Sequence, residues 1–372
     1  MAQTIITTSA AQTKKKWAGA LFNSSVPESY WGSHFMKEGS AESAPNAPIH
    51  LITDLEKDSG DEVNFDIYAQ LTGSPTYGDD NLEGNEESLT PYSDKILINQ
   101  VRKATDSGGE MTRKRTTNNH RMICRNKLTD WWSRFFDEAV FMNISGARGS
   151  NADYILPTAS TAAIEGQSLV ARSSGNIIYS GAATSKASLV AGDKFSLTSI
   201  DKAVTKAETE GGGSDGVIRI TPLRIDGVDK YVCLVHNYQE HDMRTSTTTG
   251  QWLDIQKAAT TNNGTKNPIF TGSLGEYRGV VLHKHNKVTR FTDYGVGSNV
   301  AAARAIFMGR QAMVAAFGSP ANGLRFDWAE EWRDYKNRLG IATKCIVGLK
   351  RPQFNSNDVN SIVIDSAAAQ PY

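Results

Sequence analysis

The chain has 372 residues, with 40 Lys plus Arg against 40 Asp plus Glu, and 39% of it is hydrophobic. That length holds a sizeable core and two or three subdomains. The balanced charge lacks the basic excess expected of a dedicated nucleic-acid binder.

The opening stretch "MAQTIITTSAAQTKKKW" lacks the apolar run of a secretory signal. Residues 1–50 read as an extended arm, too poor in apolar side chains for a core of its own. Its aromatics Trp17, Phe22, Tyr30, Trp31 and Phe35 predict that the arm lies across another surface, such as that of a neighbouring copy. A disordered tail is the plainer alternative. The triplet Lys14–Lys16 reads as a solvated charge run.

Between Gly60 and Val101, "VNFDIYAQL" and "KILINQV" both alternate at the period of a strand, so they predict an antiparallel ribbon. The loop joining them, about Thr72 to Ser93, has turn residues Gly73, Pro75, Gly78, Gly84 and Pro91. It carries Asp79, Asp80, Glu83, Glu86 and Glu87 with no basic residue among them, and Arg113, Lys114 and Arg115 follow later. A loop of this length is unusual in a compact domain and often functional.

"TTNNHRMICRNKLTDWWSRFFDEAVFMNISG" is the strongest helical signal: Cys124, Leu128, Trp131, Phe135, Ala139 and Met142 share one stripe. Thr116, Thr117 or Asn118 is expected to cap it and Gly146 to end it. Residues 146–193 read as a loop or small insertion. "SLTSIDKAVTKAETE" predicts a helix stopped by Gly211–Gly213, and Asp226–Gly227 a hairpin turn between two strands. "NYQEHDMRTSTTTGQWLDIQKAA" suggests helix, break and helix. "YRGVVLHKHNKVTRF" reads as strand. "NVAAARAIFMGRQAMVAAFG" reads as a small-residue helix, or a helix and a buried strand. "DWAEEWRDYKNRLG" reads as an amphipathic helix, acidic then basic. "ATKCIVGLK" and "SIVIDSA" read as final strands. No stretch of 18 apolar residues predicts a membrane helix.

No motif for chemistry rises above background. Cys124, Cys233 and Cys345 form no CxxC pair, which suggests neither a redox motif nor a Cys-rich zinc site, and an odd count reads as reduced cytoplasmic thiols. "GGGSDG" precedes a strand rather than opening a helix, so it is a turn and not a phosphate cradle. His283 and His285 share a strand face and His236 and His241 flank a strand end, but no carboxylate or thiolate completes a zinc set. They read as histidines at a polar surface or subunit contact. The tryptophans of "LTDWWSRFFDE" and "DWAEEWRDYKNR" read as packing rather than base-stacking residues. No catalytic, cofactor or metal site is expected.

The segments "GDEVNFDIYAQLTG", "GDDNLEGNEESLTPYSDKILINQVRKA" and "MTRKRTTNNHRMICRNKLTDWW" resemble the major capsid proteins of tailed bacteriophages, in a divergent family. The similarity continues through "IRITPLRIDGVDKYVCLVHNYQEHDMR" and "NPIFTGSLGEYRGVVLHKH". "SNDVNSIVID" departs from the family's usual Asp-Phe-Gly before its last strand. The resemblance implies an α+β chain with the Hong Kong 97-type capsid fold. It further implies an arm at 1–55, an extended β-ribbon loop at 56–108, and a peripheral domain at 109–267. That domain would include a spine helix at 115–143 and the 146–193 insertion. An axial domain would take 268–345, and strands at 346–372 would return to the peripheral domain. The implied function is a coat protein that self-assembles into an icosahedral head around packaged double-stranded DNA, without sequence-specific contacts. Its partners would be itself in hexamers and pentamers, a portal, and scaffolding or cement proteins. A tail tube or compartment subunit is the alternative, and an enzyme a weaker one.

An isolated ribbon is marginal in water, so its acidic loop makes sense over a neighbouring copy. Asp79, Asp80, Glu83, Glu86 and Glu87 are expected to meet Arg113, Lys114, Arg115, Arg121 and Arg125 there, with Trp17, Phe22, Tyr30 and Trp31 of the arm as further inter-subunit contacts. Exposed ion pairs contribute only about 0–1 kcal/mol each, so their role would be register and partner choice.

Overall fold

The computed structural model describes residues 29–39, 45–54, 60–68, 71, 73–89, 91–210, 219–225, 227–246, 273–319 and 324–372. The described chain begins with α1 (Tyr30–His34), β1 (Met36–Gly39) and β2 (Ile49–Ile52). The ribbon β3 (Glu62–Tyr68) and β4 (Pro91–Leu97), strand β5 (Asn99–Asp106), and helices α2 (Glu110–Arg115) and α3 (His120–Ser145) follow. Next come β6 (Ala162–Ile164), β7 (Gln167–Ser168), β8 (Ile177–Tyr179), α4 (Leu197–Thr209), β9 (Leu223–Ile225), β10 (Val228–Val235) and α5 (Asn237–Thr245). The rest of the described chain is strand: β11 (Gly275–Tyr277), β12 (Val280–Lys284), β13 (Arg290–Tyr294), β14 (Val300–Met308), β15 (Met313–Gly318), β16 (Phe326–Arg333), β17 (Arg338–Lys350), β18 (Gln353–Phe354), β19 (Asn357–Asp358) and β20 (Ser361–Ala367).

Helix α3 organises the molecule. Its 26 residues span about 39 Å at 1.5 Å per residue. It starts later than the sequence suggests: Asn119, not Thr116, Thr117 or Asn118, is the cap, and its side chain accepts the Met122 N–H at 3.3 Å. Gly146 ends it as expected, at a left-handed φ of 71°. The expected stripe faces inward except for Trp131, which is only partly buried, and from Phe135 to Ser145 the helix is buried all round.

Two sheets flank this helix. One runs β1-β2-β15-β17-β16, with β5 also paired to β17; the other runs β11-β12-β10-β14-β20-β8, with β13 on β14 and β9 on β10. The largest apolar cluster joins α3 to both, through Ile341 and Trp328 of the first sheet and Val232 and Ile306 of the second. A second cluster packs α4 against the other face of the second sheet, through Ile200, Val204, Cys233 and Phe307.

The ribbon is antiparallel from Glu62↔Leu97 to Tyr68↔Pro91. The hairpin of β9 and β10 forms across Gly227, whose φ is 81°. The helix from "SLTSIDKAVTKAETE" is α4; it closes at Glu210, and Gly211–Gly213 lie outside the described residues. The second half of "NYQEHDMRTSTTTGQWLDIQKAA" also lies outside them, and its first half is α5.

Two sequence readings are corrected. "NVAAARAIFMGRQAMVAAFG" is no helix but the two strands β14 and β15. Alternate residues of β14 serve the two cores, Ala305 and Phe307 one, Ile306 and Met308 the other. A strand buried on both faces loses its polar alternation, and an apolar run alone does not separate it from a helix. "DWAEEWRDYKNRLG" is the hairpin of β16 and β17, paired from Phe326↔Cys345 to Arg333↔Arg338. Asp334, Tyr335 and Lys336 turn it with φ of 51°, 47° and 72°. Phe326 and Trp328 are buried at strand period, and pairing with a long neighbour overrides the weak helical spacing.

Candidate assembly surfaces

The base of the ribbon is packed on the body, and the described residues of its tip are mostly exposed. Val63 and Ile96 are buried in a cluster with Ile52, Val314 and Ala316. Asp94 pairs with Lys350 and accepts the Gln353 N–H at 3.0 Å. In the stretch between Tyr68 and Pro91 the described residues are exposed, apart from the partly buried Thr76. Two local contacts shape it: Glu87 Oε2 accepts the Gly73 N–H at 2.6 Å, and Glu86 Oε2 accepts the Gly84 N–H at 2.7 Å. A turn closed by Asn85 N–H to Leu82 C=O at 3.0 Å puts Leu82 at the end of the loop, 64% exposed. Leu71, Tyr77 and Leu89 are exposed as well, and so are Asp79, Asp80, Glu83, Glu86 and Glu87.

The basic residues gather where α2 meets α3. Asn337, at the β16–β17 turn, accepts the Glu110 N–H at 3.0 Å and receives an Arg113 N–H at 3.1 Å on its carbonyl. Arg113 lies over the Trp332 ring at 4.9 Å. Arg121 donates to Glu330 Oε1 at 2.7 Å, which also accepts the Trp328 Nε1–H at 2.9 Å. Lys114 and Arg115 are exposed, and Arg125 is partly buried on α3. Between them is a hollow of about 300 Å³ lined by Arg113, His120, Arg121, Trp332 and Leu339, among others. Sequence reasoning missed Trp332 and Asn337, because both fell in the misread hairpin; its Asp-Tyr-Lys-Asn run, rich in turn formers, was the available signal.

The arm is corrected in part. Trp17, Phe22 and Lys14–Lys16 lie outside the described residues. Trp31 is not offered to a neighbour: it is 1% exposed in its own core, with its ring 4.9 Å from that of Phe141. Tyr30 packs against His285 at 4.5 Å. After it, β1 and β2 join the first sheet, β2 running parallel to β15. Trp31, Phe35, Ile49, Leu51 and Ile52 bury enough apolar surface for α1 and β2 to dock on their own subunit.

Two of the four histidines are also corrected, whereas His241 is exposed and His285 is partly buried. His283 and His236 are buried rather than set on a polar surface. Phe35 faces His283 at 5.1 Å, and Phe141 stacks on His285 at 5.1 Å. Burial holds His236 and His285 down at about 4. All three cysteines are buried and free, and burial pushes the Cys233 thiol up to about 12. Among the described residues no cluster of His, Cys, Asp and Glu is arranged to hold a metal, and no helix is long and apolar enough to cross a membrane.

Comparison with known proteins agrees with this architecture. The family model described as "Phage capsid protein" matches residues 5–370. The major capsid protein of Pseudomonas phage KPP25 is 27% identical over 337 residues, covering 84% of this chain and 83% of that protein. The capsid structure of Ralstonia phage GP4 covers all of both chains at 42% identity, with a TM-score of 0.84. The capsid of cyanophage Pam1 shares the fold at 19% identity over 92% of this chain and 93% of that one, TM-score 0.70. The chain therefore belongs to the phage capsid protein family: it has the Hong Kong 97-type fold and is a major capsid protein, the subunit of a phage head shell.

Proposed function

We propose that copies of this chain close into an icosahedral head around packaged double-stranded DNA, each completed by the ribbon of a neighbour. The observation that carries this is the ribbon tip. Leu71, Tyr77, Leu82 and Leu89 stand in solvent, an arrangement that costs hydration free energy unless something covers it. The tip's carboxylates, Asp79, Asp80, Glu83, Glu86 and Glu87, select a basic seat on the next copy: Arg113, Lys114, Arg115, Arg121 and Arg125 around the α2–α3 junction. Leu82 has the size for the hollow beside Trp332. In this reading residues 109–267, with α3 as spine helix, form the peripheral domain, 268–345 the axial domain, and 346–372 return to the peripheral domain. The subunits stand in hexamers and pentamers, with a portal and scaffolding or cement proteins as further partners. Assembly takes place in the host cytoplasm. The chain confines DNA by the wall it builds, which needs no sequence-specific contact, and it performs no catalysis.

The test is charge reversal at Asp79, Asp80 and Glu83, which leaves the turn-closing Glu86 and Glu87 in place. The triple Lys variant should stay a folded subunit and yield few or no closed particles by electron microscopy. Reversing Arg113, Lys114 and Arg115 to Glu in the same chain should restore them. Normal shells from the triple variant at both low and high salt would refute this seating.

A further inference from the structure

An arginine and a carboxylate line one hollow of the subunit without meeting. Arg290 opens β13, and its guanidinium lies over the Tyr238 ring at 4.5 Å. That guanidinium makes no hydrogen bond or ion pair with any described residue, and its Nε is buried without a partner. Leaving a buried charged donor unmatched is costly. The hollow holds about 370 Å³ and is lined by His236, Asn286, Tyr372 and Asp153 beside Tyr238 and Arg290, among others. His236 is no second cation there near neutral pH. Its Nδ1 accepts the Tyr238 N–H at 3.1 Å, and burial, with Arg290 beside it, holds it at about 4.

Asp153 reaches the same hollow from the loop after α3. Asn151 ties this loop to the start of β13, its Oδ1 accepting the Arg290 N–H at 2.8 Å and its Nδ2 donating to the Val288 carbonyl at 3.1 Å. The Asp153 carbonyl receives an Arg134 N–H at 3.3 Å. Its side chain is exposed and makes no hydrogen bond or ion pair with a described residue. One hollow thus carries two opposite charges, each anchored and each unmatched by the described residues of its own subunit.

The ring under Arg290 holds its fork in place, so less freedom is lost on binding. A carboxylate suits that fork, taking two parallel N–H donors at once. The phosphates of a duplex do not suit it: the Nε lies in a recess that a side chain can enter, and Asp153 repels an approaching strand. A free anion would leave Asp153 unanswered. A second copy turned about a two-fold axis answers both charges, since each contact then occurs twice with the roles exchanged. We propose that this hollow is a self-complementary docking site for a second copy, closed by two reciprocal pairs of Arg290 with Asp153 of the partner subunit. This contact presupposes the shell proposed above: ring contacts build hexamers and pentamers, and two-fold contacts join them. Tyr372, 90% exposed at the rim, is covered in the same step.

The test uses two full-length variants, singly and mixed. Asp153→Arg gives the hollow two cations, and Arg290→Asp gives it two carboxylates. Each alone should raise the protein concentration needed for closed particles at least about tenfold, as loss of a close charge pair does. Mixed in equal amounts, the two should assemble at the wild-type concentration into particles holding both chains, because contacts between unlike copies again oppose opposite charges. Pairing within one subunit would not respond to mixing. Particles from either single variant at the wild-type concentration, or a mixture no better than its parts, overturn the contact. Wild-type chain run alongside tests the shell separately: if it closes no particles, the shell reading fails, and sedimentation of subunit pairs still reads the contact. Unlike variants should then pair at least about tenfold more tightly than like ones, and equal pairing overturns the contact. Asp153→Arg changes only an exposed side chain, so its effect alone decides should Arg290→Asp misfold.

Discussion

Three arginines meet at the C-terminus of α3, and they show how single residues fix this fold. Arg351 donates to the Asn143 carbonyl at 3.2 Å, Arg172 to that of Ile144 at 3.3 Å, and Arg304 to that of Ser145 at 2.8 Å. These carbonyls end a helix and carry its negative pole. The guanidiniums are paired in turn: Arg304 with Asp365 at 2.7 Å, and Arg351 and Arg172 with Asp358 at 2.7 and 3.2 Å. Asp365 is fully buried and also accepts the Tyr294 hydroxyl at 2.7 Å. Removing one partner strands a buried charge, at about 3–5 kcal/mol. Arg304→Met should therefore lower subunit stability in urea by about that amount, while Arg304→Met with Asp365→Leu should recover most of it. Equal losses in the single and double variants would show that the pair matters only by its packing.

Among elements, β17 does the most joining. It pairs with β15 through Ile346–Lys350, with β16 through Arg338–Cys345, and with β5 through Gly340–Val347. The ribbon crosses it closely at Gly348, where an added Cβ would come 2.2 Å from the Leu97 carbonyl oxygen. Gly348→Ala should therefore force the ribbon base away from β17. The measurable outcome is faster hydrogen exchange in β3 and β4 with α3 unchanged. Much of this element list was legible in the sequence. The ribbon, α3 with its Gly146 stop, α4 and the alternating end of β17 follow from period and punctuation, and the fully buried β20 from an apolar run too short for a helix. β14 and the β16–β17 hairpin were not legible. The first is buried on both faces, and the second spreads its charges at a spacing that a helix shares. The charged loop was readable as a feature, whereas the hollow by Trp332 depends on a turn that brings Asn337 beside α2, and no local pattern encodes that meeting.

At the scale of the molecule, the folded body and the projecting tip are separable. The body closes its own core around α3 and even binds back α1, β1 and β2. The tip contributes nothing to that core; its large apolar residues are exposed. Replacing residues 74–88 with a short Gly-Ser turn should leave the unfolding free energy measured in urea within about 0.5 kcal/mol of wild type, as for other surface changes. The same variant should sediment as free subunits under conditions where the wild type forms particles. A truncated chain that still builds shells would put the completing contact elsewhere.

The continuity of β4 with β5 has a mechanical consequence. Only Ile98 separates them, and β5 lies antiparallel along eight residues of β17. A neighbour tugging on the tip would load that ladder lengthwise. Bonds stressed in this direction share the force and must rupture together, whereas a peeling strand yields them one by one. A particle strained by its packed contents would then transmit tension tangentially from subunit to subunit through its stiffest strands.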